Sequence, residues 1–215
     1  MPQLQRGVLI ALEGIDGSGK STLAQNLTTF FHTQTFPVVL TKEPGGTLLG
    51  KQLRSVLQEK KVPVSPKAEY LLFAADRAQH MEELIQPSLE KKMIVISDRM
   101  GDSAIAYQGY GRKLDIPMIK TSNLWAMNSI KPDLTIYVHI DLATSLQRIA
   151  ARNETPTSFE QEKKDFFQRV IMGFDEMYKN RDDVIIVDGQ LSKEEVTSQT
   201  LEKVLSWLKS NQFLR

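Results

Sequence analysis

The chain has no cysteine among its 215 residues, which excludes disulfide bonds, thiolate catalysis and cysteine-based zinc sites together. Histidine is almost as scarce, and its three residues are scattered along the chain, which argues against a histidine metal site. No apolar run approaches the roughly 18 residues that a membrane span needs. The apolar run before Glu13 is too short for a secretion signal, so we expect a cytoplasmic protein.

An excess of charge of one sign is also missing. Lysine and arginine number 27 against 26 aspartates and glutamates, which leaves a net charge of +1. This balance provides no general attraction to nucleic acids or membranes, so we expect neither as a partner. The composition is 41% hydrophobic and 25% charged, as in globular proteins. Because no linker or repeat marks a boundary, we predict a single domain over residues 1–215.

Five short apolar runs predict strands. They are continuous rather than alternating, as expected for strands that are covered on both faces. Helical patterns separate them, which indicates a three-layer α/β fold with a five-stranded parallel sheet flanked by helices. The strand runs are 8–12, 37–40, 93–96, 134–138 and 184–187, and the helical patterns cover about 20–34, 47–60, 66–91, 103–130, 142–152, 160–180 and 192–212.

The most informative run follows the first predicted strand and has the full form G-x-x-x-x-G-K-[ST]. A glycine loop between a strand and a helix turns backbone N–H groups toward an anion. Lys20 can reach the β- and γ-phosphates of a nucleoside triphosphate, and the Ser21 hydroxyl can ligate Mg²⁺. The motif alone does not separate kinases from GTPases or mechanical ATPases. The residues expected to bind the triphosphate are Gly14, Ile15, Asp16, Gly17, Ser18, Gly19, Lys20, Ser21 and Thr22.

Ligands of parallel sheets bind at the carboxyl ends of the strands, where two more residues attract attention. Asp98 resembles the carboxylate that supports Mg²⁺ in phosphate-loop enzymes, with a helix cap as the alternative. Arg99 suits bidentate phosphate recognition. On a predicted helix, Phe73 and Arg77 lie four residues apart on one face, where they would suit a planar base. Taken alone, this pair is more often a core aromatic beside an arginine with a buried stem.

Several motifs follow the loop in order, and together they resemble the bacterial form of the thymidylate kinase family. They are KEPGGT at 42–47, LFAADRAQH at 72–80, DR at 98–99 and AYQG at 106–109. The resemblance runs from about residue 7 to about residue 205. It implies a P-loop NTPase fold and a nucleoside monophosphate kinase that converts dTMP to dTDP, with ATP as donor and Mg²⁺ as cofactor. It also implies a homodimer.

The resemblance implies a role for each residue of the acceptor site. Phe73 would stack on thymine, and Arg77 would hydrogen-bond its edge. Arg54 and Arg99 would hold the phosphate of dTMP. Tyr107 would pack under the deoxyribose, where a 2′-hydroxyl would be crowded.

Further residues match family positions near the base, the phosphates and the metal. Gln108 matches a base-proximal position. Glu13 and Asp16 match acidic positions near the phosphates, and Asp16 would position the monophosphate or the Mg²⁺ shell. Ser21 and Asp98 are the expected metal ligands.

In this family, positive charge at the transition state comes from a basic residue in the phosphate loop or from arginines in a mobile lid. Positions 15–18 of this loop hold no basic residue. Arg148 and Arg152 lie four apart on one helix face, directly before a polar stretch, and we predict a short lid over about 148–160. Arg152 is the expected main arginine and Arg148 the second, with a solvated basic face as the alternative. The predicted catalytic residues are Lys20, Asp16, Arg148 and Arg152.

Three departures from the family pattern concern the base contacts and the lid. Met100 stands where an aromatic residue or histidine is common, and Ala104 stands where a polar residue often contacts the thymine edge. Positions 158–159 hold Ser-Phe where Asp-Arg is common, so one lid arginine is missing.

Alternative functions are a kinase for another monophosphate or a deoxynucleoside, and a GTP-dependent switch. The switch would need an Asn-Lys-x-Asp motif, which 128–133 matches poorly.

Overall fold

The computed structural model describes residues 4–59, 63–152 and 157–213. At its centre is a five-stranded sheet in which every neighbouring pair is parallel, in the order β2-β3-β1-β4-β5. The predicted α/β class with a five-stranded parallel sheet flanked by helices is confirmed. The strands are β1 (Val8–Glu13), β2 (Val38–Lys42), β3 (Ile94–Asp98), β4 (Leu134–His139) and β5 (Val184–Asp188).

Helices connect the strands, and two of the connections contain π-helical turns. Within the described residues, no helix combines the length and apolarity that crossing a membrane requires. The π-helical segment Met81–Ile85 joins α3 to α4, and the π-helical segment Ile105–Gly111 continues α5. The α-helices are α1 (Lys20–Thr33), α2 (Leu48–Gln58), α3 (Pro66–His80), α4 (Gln86–Glu90), α5 (Gly101–Ala104), α6 (Ile116–Ala126), α7 (Leu142–Ala150), α8 (Lys164–Tyr178) and α9 (Lys193–Ser210).

The predicted helix over 103–130 is wrong as a single element. The chain leaves the helix at 112–115, where Lys113 has a left-handed φ of 62°. Asp115 then caps the start of α6 by accepting from the backbone N–H of Met118 at 2.7 Å. The predicted helix over 160–180 begins only at Lys164. Residue 60, which ends another helical pattern, lies outside the described residues.

The central strand explains why the sequence shows continuous apolar runs. All six residues of β1 are buried. Val8, Ile10 and Leu12 pack with residues of α1 and α9 on one face of the sheet. Leu9 and Ala11 point to the other face, where they belong to a cluster with Met81 and Ile85. A strand covered on both faces has no solvent side to carry polar residues.

A second part of the core is aromatic and connects β4 to the helices beside the site. The ring of Tyr137 lies 5.3 Å from that of Phe174 and 5.1 Å from that of Tyr178. Phe174 and Phe166, both on α8, lie 6.4 and 6.1 Å from the ring of Tyr107. Tyr107 therefore stands at the boundary between the core and the carboxyl edge of the sheet.

Two residues of α8 test this packing with a matched control. Phe174 is fully buried, whereas Met172 on the same helix is 65% exposed. We expect Phe174→Ala to lower the free energy of unfolding by about 3–5 kcal/mol, because it removes apolar contacts and leaves a cavity. Met172→Ala should change it by less than about 0.5 kcal/mol. Urea unfolding followed by circular dichroism measures both, and equal effects would contradict the described packing of α8.

Candidate active site

The loop between β1 and α1 depends on glycine for its shape. Gly14, Gly17 and Gly19 have φ angles of 142°, 79° and 95°, a region that side chains disfavour. A Cβ on Gly14 would lie 2.5 Å from the carbonyl oxygen of Val138, so this position also lacks the space for one. The glycines let the chain curl from the strand directly into α1, which begins at Lys20.

Lys20 is buried and folds back over this loop. Its Nζ donates to the carbonyl oxygen of Ile15 at 2.8 Å and to Oγ of Ser18 at 3.3 Å. Burial, together with the nearby charge of Arg99, lowers the pKa of Lys20 to about 8. A phosphate beside Nζ would favour the charged form of the lysine. The lysine is therefore placed where an anion in the loop would pair with it.

Ser21 and Asp98 bring two oxygen ligands together at the carboxyl edge of the sheet. The Ser21 hydroxyl donates to Oδ2 of Asp98 at 2.5 Å, although α1 and β3 are far apart in sequence. A hydroxyl and a carboxylate are hard oxygen donors that suit Mg²⁺, which usually takes one or two protein ligands and completes its shell with phosphates and water. The pair therefore fits Mg²⁺. Among the described residues no group of three or more histidine, cysteine, aspartate or glutamate residues could hold a metal by itself.

Arg99 connects β3 to the phosphate loop. Its φ is 75°, an uncommon backbone conformation for a residue with a side chain, and its N–H donates to the carbonyl oxygen of Leu12 at 2.9 Å. Its guanidinium donates to the carbonyl oxygen of Gly14 at 2.7 Å, to Oδ1 of Asp16 at 2.6 Å and to the Tyr107 hydroxyl at 3.2 Å. These contacts aim the arginine into the cleft beside the loop.

Asp16 is charged in this arrangement. Burial by itself raises the pKa of its carboxyl, but the positive charges of Arg99 and Lys20 bring that pKa below its ordinary value. Burial raises the pKa of Tyr107, so the tyrosine keeps its proton. Its hydroxyl donates to Oδ2 of Asp16 at 3.3 Å. Asp16, Arg99 and Tyr107 thus form a connected triad of hydrogen bonds.

Glu13 lies beneath this triad rather than among the residues that line the cavity. Its Oε1 accepts from the backbone N–H of Met100 at 2.8 Å, and its Oε2 accepts from the Ser103 hydroxyl at 2.5 Å. Burial, followed by the nearby charge of Asp102, raises the pKa of Glu13 to about 7. The structure shows Glu13 fastening the backbone that follows Arg99, and its position near the phosphates stays a prediction.

A cavity of about 660 Å³ opens at the carboxyl edge of the sheet, a size typical of ligand sites. Its walls come from the phosphate loop, the β2–α2 connection, α3, the segment after β3 and the stretch after α7. Gly14, Ile15, Ser18 and Arg148 are not among the residues that line it. The predicted site residues that line it are Asp16, Gly17, Gly19, Lys20, Ser21, Thr22, Arg54, Phe73, Arg77, Asp98, Arg99, Tyr107, Gln108 and Arg152.

The arginines on the far side of the cavity are held by protein acceptors. Arg54 donates from Nη1 to the carbonyl oxygen of Pro44 at 2.9 Å. Arg77 is only 1% exposed, and it donates from Nε to Oε2 of Glu43 at 2.9 Å and from Nη1 to Oδ1 of Asn123 at 2.8 Å. Its guanidinium plane is therefore fixed from two directions.

The remaining residues that are predicted to bind the acceptor are also anchored. Gln108 donates to Oε1 of Glu69 at 2.9 Å, and Arg112 donates to both oxygens of the same carboxylate at 3.1 and 2.9 Å. Phe73 packs against Phe159, with 5.8 Å between the ring centres. A carboxylate thus orients the amide of Gln108 at one wall of the cavity.

Residues 153–156 of the predicted lid lie outside the described residues. The parts of the lid before and after them both make hydrogen bonds. Arg152 donates to Oε1 of Glu160 at 3.2 Å, and Arg148 donates to the carbonyl oxygen of Gly17 at 3.4 Å. The Ser158 hydroxyl donates to the carbonyl oxygen of Leu57 at 2.7 Å. On either side of 153–156, Arg152 and the residues Thr157, Phe159 and Glu160 line the cavity.

Sequence reasoning missed three residues that shape the site. Glu43 and Asn123 hold Arg77, but Asn123 carries no local signal because it lies 46 positions from its partner. Phe159 lies between two cavity aromatics, 5.8 Å from the ring of Phe73 and 6.1 Å from that of Tyr107. Its position in the lid was noted only as a departure from a family pattern.

The fold and this cavity define the chain as a P-loop nucleotide-binding protein whose phosphate loop lines one cavity together with Arg54, Arg77 and Arg99. The family model for thymidylate kinase matches residues 12–200. The thymidylate kinase of Halothermothrix orenii is 43% identical over 203 residues, which cover 93% of this chain and 97% of that protein. The thymidylate kinase of Carboxydothermus hydrogenoformans is 41% identical and covers 89% and 93%.

A solved structure agrees with these sequence comparisons. The crystal structure of thymidylate kinase from Ehrlichia chaffeensis matches with a TM-score of 0.75 and 32% identity, over 93% of this chain and 99% of that chain. The chain belongs to the thymidylate kinase family, and it is a kinase.

The buried carboxyl of Glu13 makes stability depend on pH. The pKa of Glu13 rises from 4.5 to about 7 on folding, so the folded chain holds a proton that the unfolded chain releases between these values. The stabilisation is complete below the unfolded pKa and is lost as the pH rises through about 7. The neutral variant Glu13→Gln cannot show this loss.

We therefore expect the free energy of unfolding of the native chain to fall relative to that of Glu13→Gln between about pH 5 and about pH 8. Chemical unfolding at a series of pH values measures this difference. Asp76, whose pKa burial raises to about 6, is present in both chains and cancels in the comparison. Parallel pH profiles for the two chains would contradict a buried carboxyl with a raised pKa.

Proposed function

We propose that the chain transfers the γ-phosphoryl group of ATP to dTMP with the help of Mg²⁺, and that the cavity holds both substrates. One observation carries this proposal most directly: residues of the phosphate loop line one cavity together with Arg99 and with the aromatic–arginine wall, which is formed by Arg54, Phe73 and Arg77. This arrangement would place a triphosphate and an acceptor phosphate on opposite sides of one guanidinium. Family membership supports dTMP as the acceptor, and the lining of the cavity supports these positions.

The donor half-site is the phosphate loop. Its backbone N–H groups and the N-terminus of α1 would cradle the phosphates of ATP. Lys20 would neutralise charge on the β- and γ-phosphates as it leaves its bonds to the loop. Ser21 and Asp98 would hold Mg²⁺, which when bound adds positive charge beside the transferring group.

The acceptor half-site is the opposite wall. Phe73 would stack on thymine. Arg77 bonds to Asn123 through Nη1 and to the carbonyl oxygen of Met100 through Nη2, and it would donate to the thymine edge from the N–H hydrogens that remain on these two nitrogens. Arg54 and Arg99 would bind the monophosphate. Tyr107, whose hydroxyl is fixed between Arg99 and Asp16, would pack against the sugar.

Base recognition would depend on few groups in this chain. Ala104 is buried and offers no polar side chain at the wall of the cavity that it helps to line. Gln108, oriented by Glu69, would stand near the base instead. We infer that Arg77 and Gln108 carry more of the thymine selectivity here than a polar residue at position 104 would.

The transfer step would be in line, and its main demand is neutralisation of charge on the equatorial oxygens. Lys20 and Arg152 both line the cavity and would supply that charge, with Arg148 beside the loop as the second lid arginine. Asp16 would keep Arg99 oriented toward the acceptor phosphate. Closure of the lid would exclude water and limit hydrolysis of ATP.

We further propose that the chain is one domain and that it forms a homodimer through α3 and α6. These helices contact each other and carry exposed apolar side chains: Leu71 is 62% exposed, Met118 63% and Trp125 82%. An apolar patch of this kind is typical of an interface. Sedimentation equilibrium of Trp125→Glu, compared with the native chain, tests it, and an unchanged mass would move the interface elsewhere.

The substrate assignment is tested by measuring ADP release with dTMP, dUMP, dCMP, dGMP and AMP as acceptors at equal concentration. We expect dTMP to have the highest kcat/KM. Phe73, Arg77 and Gln108 would suit a pyrimidine without an exocyclic amine at its edge, which favours dTMP and dUMP over the other three acceptors, and family membership favours dTMP over dUMP. Another acceptor ranking first would overturn the assignment to dTMP while leaving a nucleotide kinase in place.

The proposed role of Arg152 in neutralising charge at the transition state is tested with Arg152→Ala. We expect kcat to fall by about 10²–10³-fold, with KM for dTMP changed by less than about threefold, because the arginine acts on charge that develops in the transition state. Arg6→Ala is the matched control, since Arg6 is 61% exposed and pairs with Asp133 away from the cavity. Unchanged turnover in Arg152→Ala would move the catalytic charge to Arg148 or another group.

A further inference from the structure

A cluster of buried polar residues lies beneath the connection between β2 and α2. Thr41 and Glu43 come from the end of β2 and the residue that follows it, and Asp76, Arg77 and His80 come from one end of α3. Their exposed fractions run from 0% for Asp76 and His80 to 7% for Thr41. Burying so many polar groups is unfavourable unless they bond to one another. Only Arg77 has a role in the proposed reaction.

His80 contacts two members of this cluster. Its Nδ1 lies 3.2 Å from Oε1 of Glu43, and its Nε2 lies 2.6 Å from Oγ1 of Thr41. Burial alone raises the pKa of Glu43, but Arg77 and then His80 bring that pKa below its ordinary value, so the carboxylate is ionised. An ionised carboxylate only accepts, so Nδ1 of His80 is the donor. In the neutral ring, Nε2 then accepts from the Thr41 hydroxyl.

Glu43 carries this contact to the acceptor site. Its second oxygen, Oε2, accepts from Nε of Arg77 at 2.9 Å. His80 and Arg77 therefore hold the two oxygens of one carboxylate from opposite sides, and the carboxylate cannot rotate without breaking one bond. Because the guanidinium is planar, fixing Nε fixes the direction of the terminal N–H groups that face the cavity.

The same histidine supports the backbone of the β2–α2 connection. Gly46 lies against the ring of His80, and a Cβ at Gly46 would be 2.6 Å from Nε2. The preceding Gly45 donates its N–H to Oδ1 of Asp76 at 3.0 Å. One turn of α3 thus holds this connection through a side-chain bond and a close backbone contact. Pro44, inside the connection, is the acceptor for Arg54.

We propose that His80 is a positioning residue that sets both ends of the acceptor site: through Glu43 it orients Arg77 at the base end, and through the Glu43–Gly46 backbone it sets the acceptor for Arg54 at the phosphate end. His80 itself does not touch substrate. The inference rests on the proposed roles of Arg77 and Arg54 in binding dTMP. It adds one buried pair, His80 with Glu43, on which both arginines depend.

Three substitutions at His80 separate positioning from filling of space. We expect His80→Ala to raise KM for dTMP by about tenfold, with KM for ATP changed by less than about twofold, because only the acceptor arginines lose their support. The amide of His80→Asn can take the place of Nδ1 and donate to Glu43, so it should restore most of the affinity for dTMP. His80→Gln reaches toward Thr41 instead and should not.

A cycle of substitutions tests the route through Glu43. If His80 acts through that carboxylate, the increase in KM for dTMP in His80→Ala/Glu43→Gln should be no larger than the larger of the two single effects. Multiplying effects would overturn the route. His32→Ala is the matched control, since His32 is exposed at the end of α1, and it should leave both KM values unchanged.

The same variants also provide checks on folding and on the proposed role of Arg77. Thermal unfolding of each variant identifies loss of structure, which would lower the active fraction and so the apparent kcat, rather than raise KM for dTMP alone. Arg77→Ala serves as the reference: if it leaves KM for dTMP unchanged, the proposed role of Arg77 is wrong. If Arg77→Ala raises KM for dTMP and His80→Ala does not, or if Asn and Gln at position 80 behave alike, the positioning role of His80 is wrong.

Discussion

The ion pair between Arg99 and Asp16 is the interaction on which the site depends. It joins the end of β3 to the phosphate loop with a 2.6 Å bond, and both side chains are largely buried, at 16% and 26% exposure. Removing one partner of such a pair leaves a charge without compensation and typically costs about 3–5 kcal/mol. Arg99 also holds a left-handed backbone conformation, which costs about 1–3 kcal/mol and persists only where its surroundings enforce it. Those surroundings are Leu12 and Glu13, which accept from the N–H groups of Arg99 and Met100.

Contacts through Tyr107 connect the Arg99–Asp16 pair to two other parts of the molecule. Toward the core, the Tyr107 hydroxyl meets both partners, and its ring belongs to the aromatic cluster of α8. Toward the lid, the same ring lies 6.1 Å from that of Phe159. The loop, the acceptor wall and the lid therefore share one tyrosine. This connection explains how a fold built from local strand–loop–helix units forms a single cavity, because the units meet at a few long-range contacts rather than through the chain itself.

The sequence predicts those features that local pattern determines. Continuous apolar runs identify the five strands, since strands covered on both faces have no polar side, and the glycine spacing identifies the phosphate loop. The interruption at 112–115 was missed because the helical pattern continues across it, while Lys113 adopts a left-handed conformation that nothing in the local pattern marks. The partners of Arg77 lie 34 and 46 positions away, so only the folded chain brings them together. The roles of Arg152 and Arg148 stay predictions.

The central claim is that Arg99, held by Asp16, separates a donor half-site from an acceptor half-site. A crystal structure of the chain with dTMP, a non-hydrolysable ATP analogue and Mg²⁺ tests it most directly. The account predicts the acceptor phosphate on the Arg99 guanidinium, with the bond to Asp16 retained and the triphosphate in the loop on the other side. An acceptor phosphate bound away from Arg99, or an Arg99 released from Asp16 when both substrates are present, would contradict it.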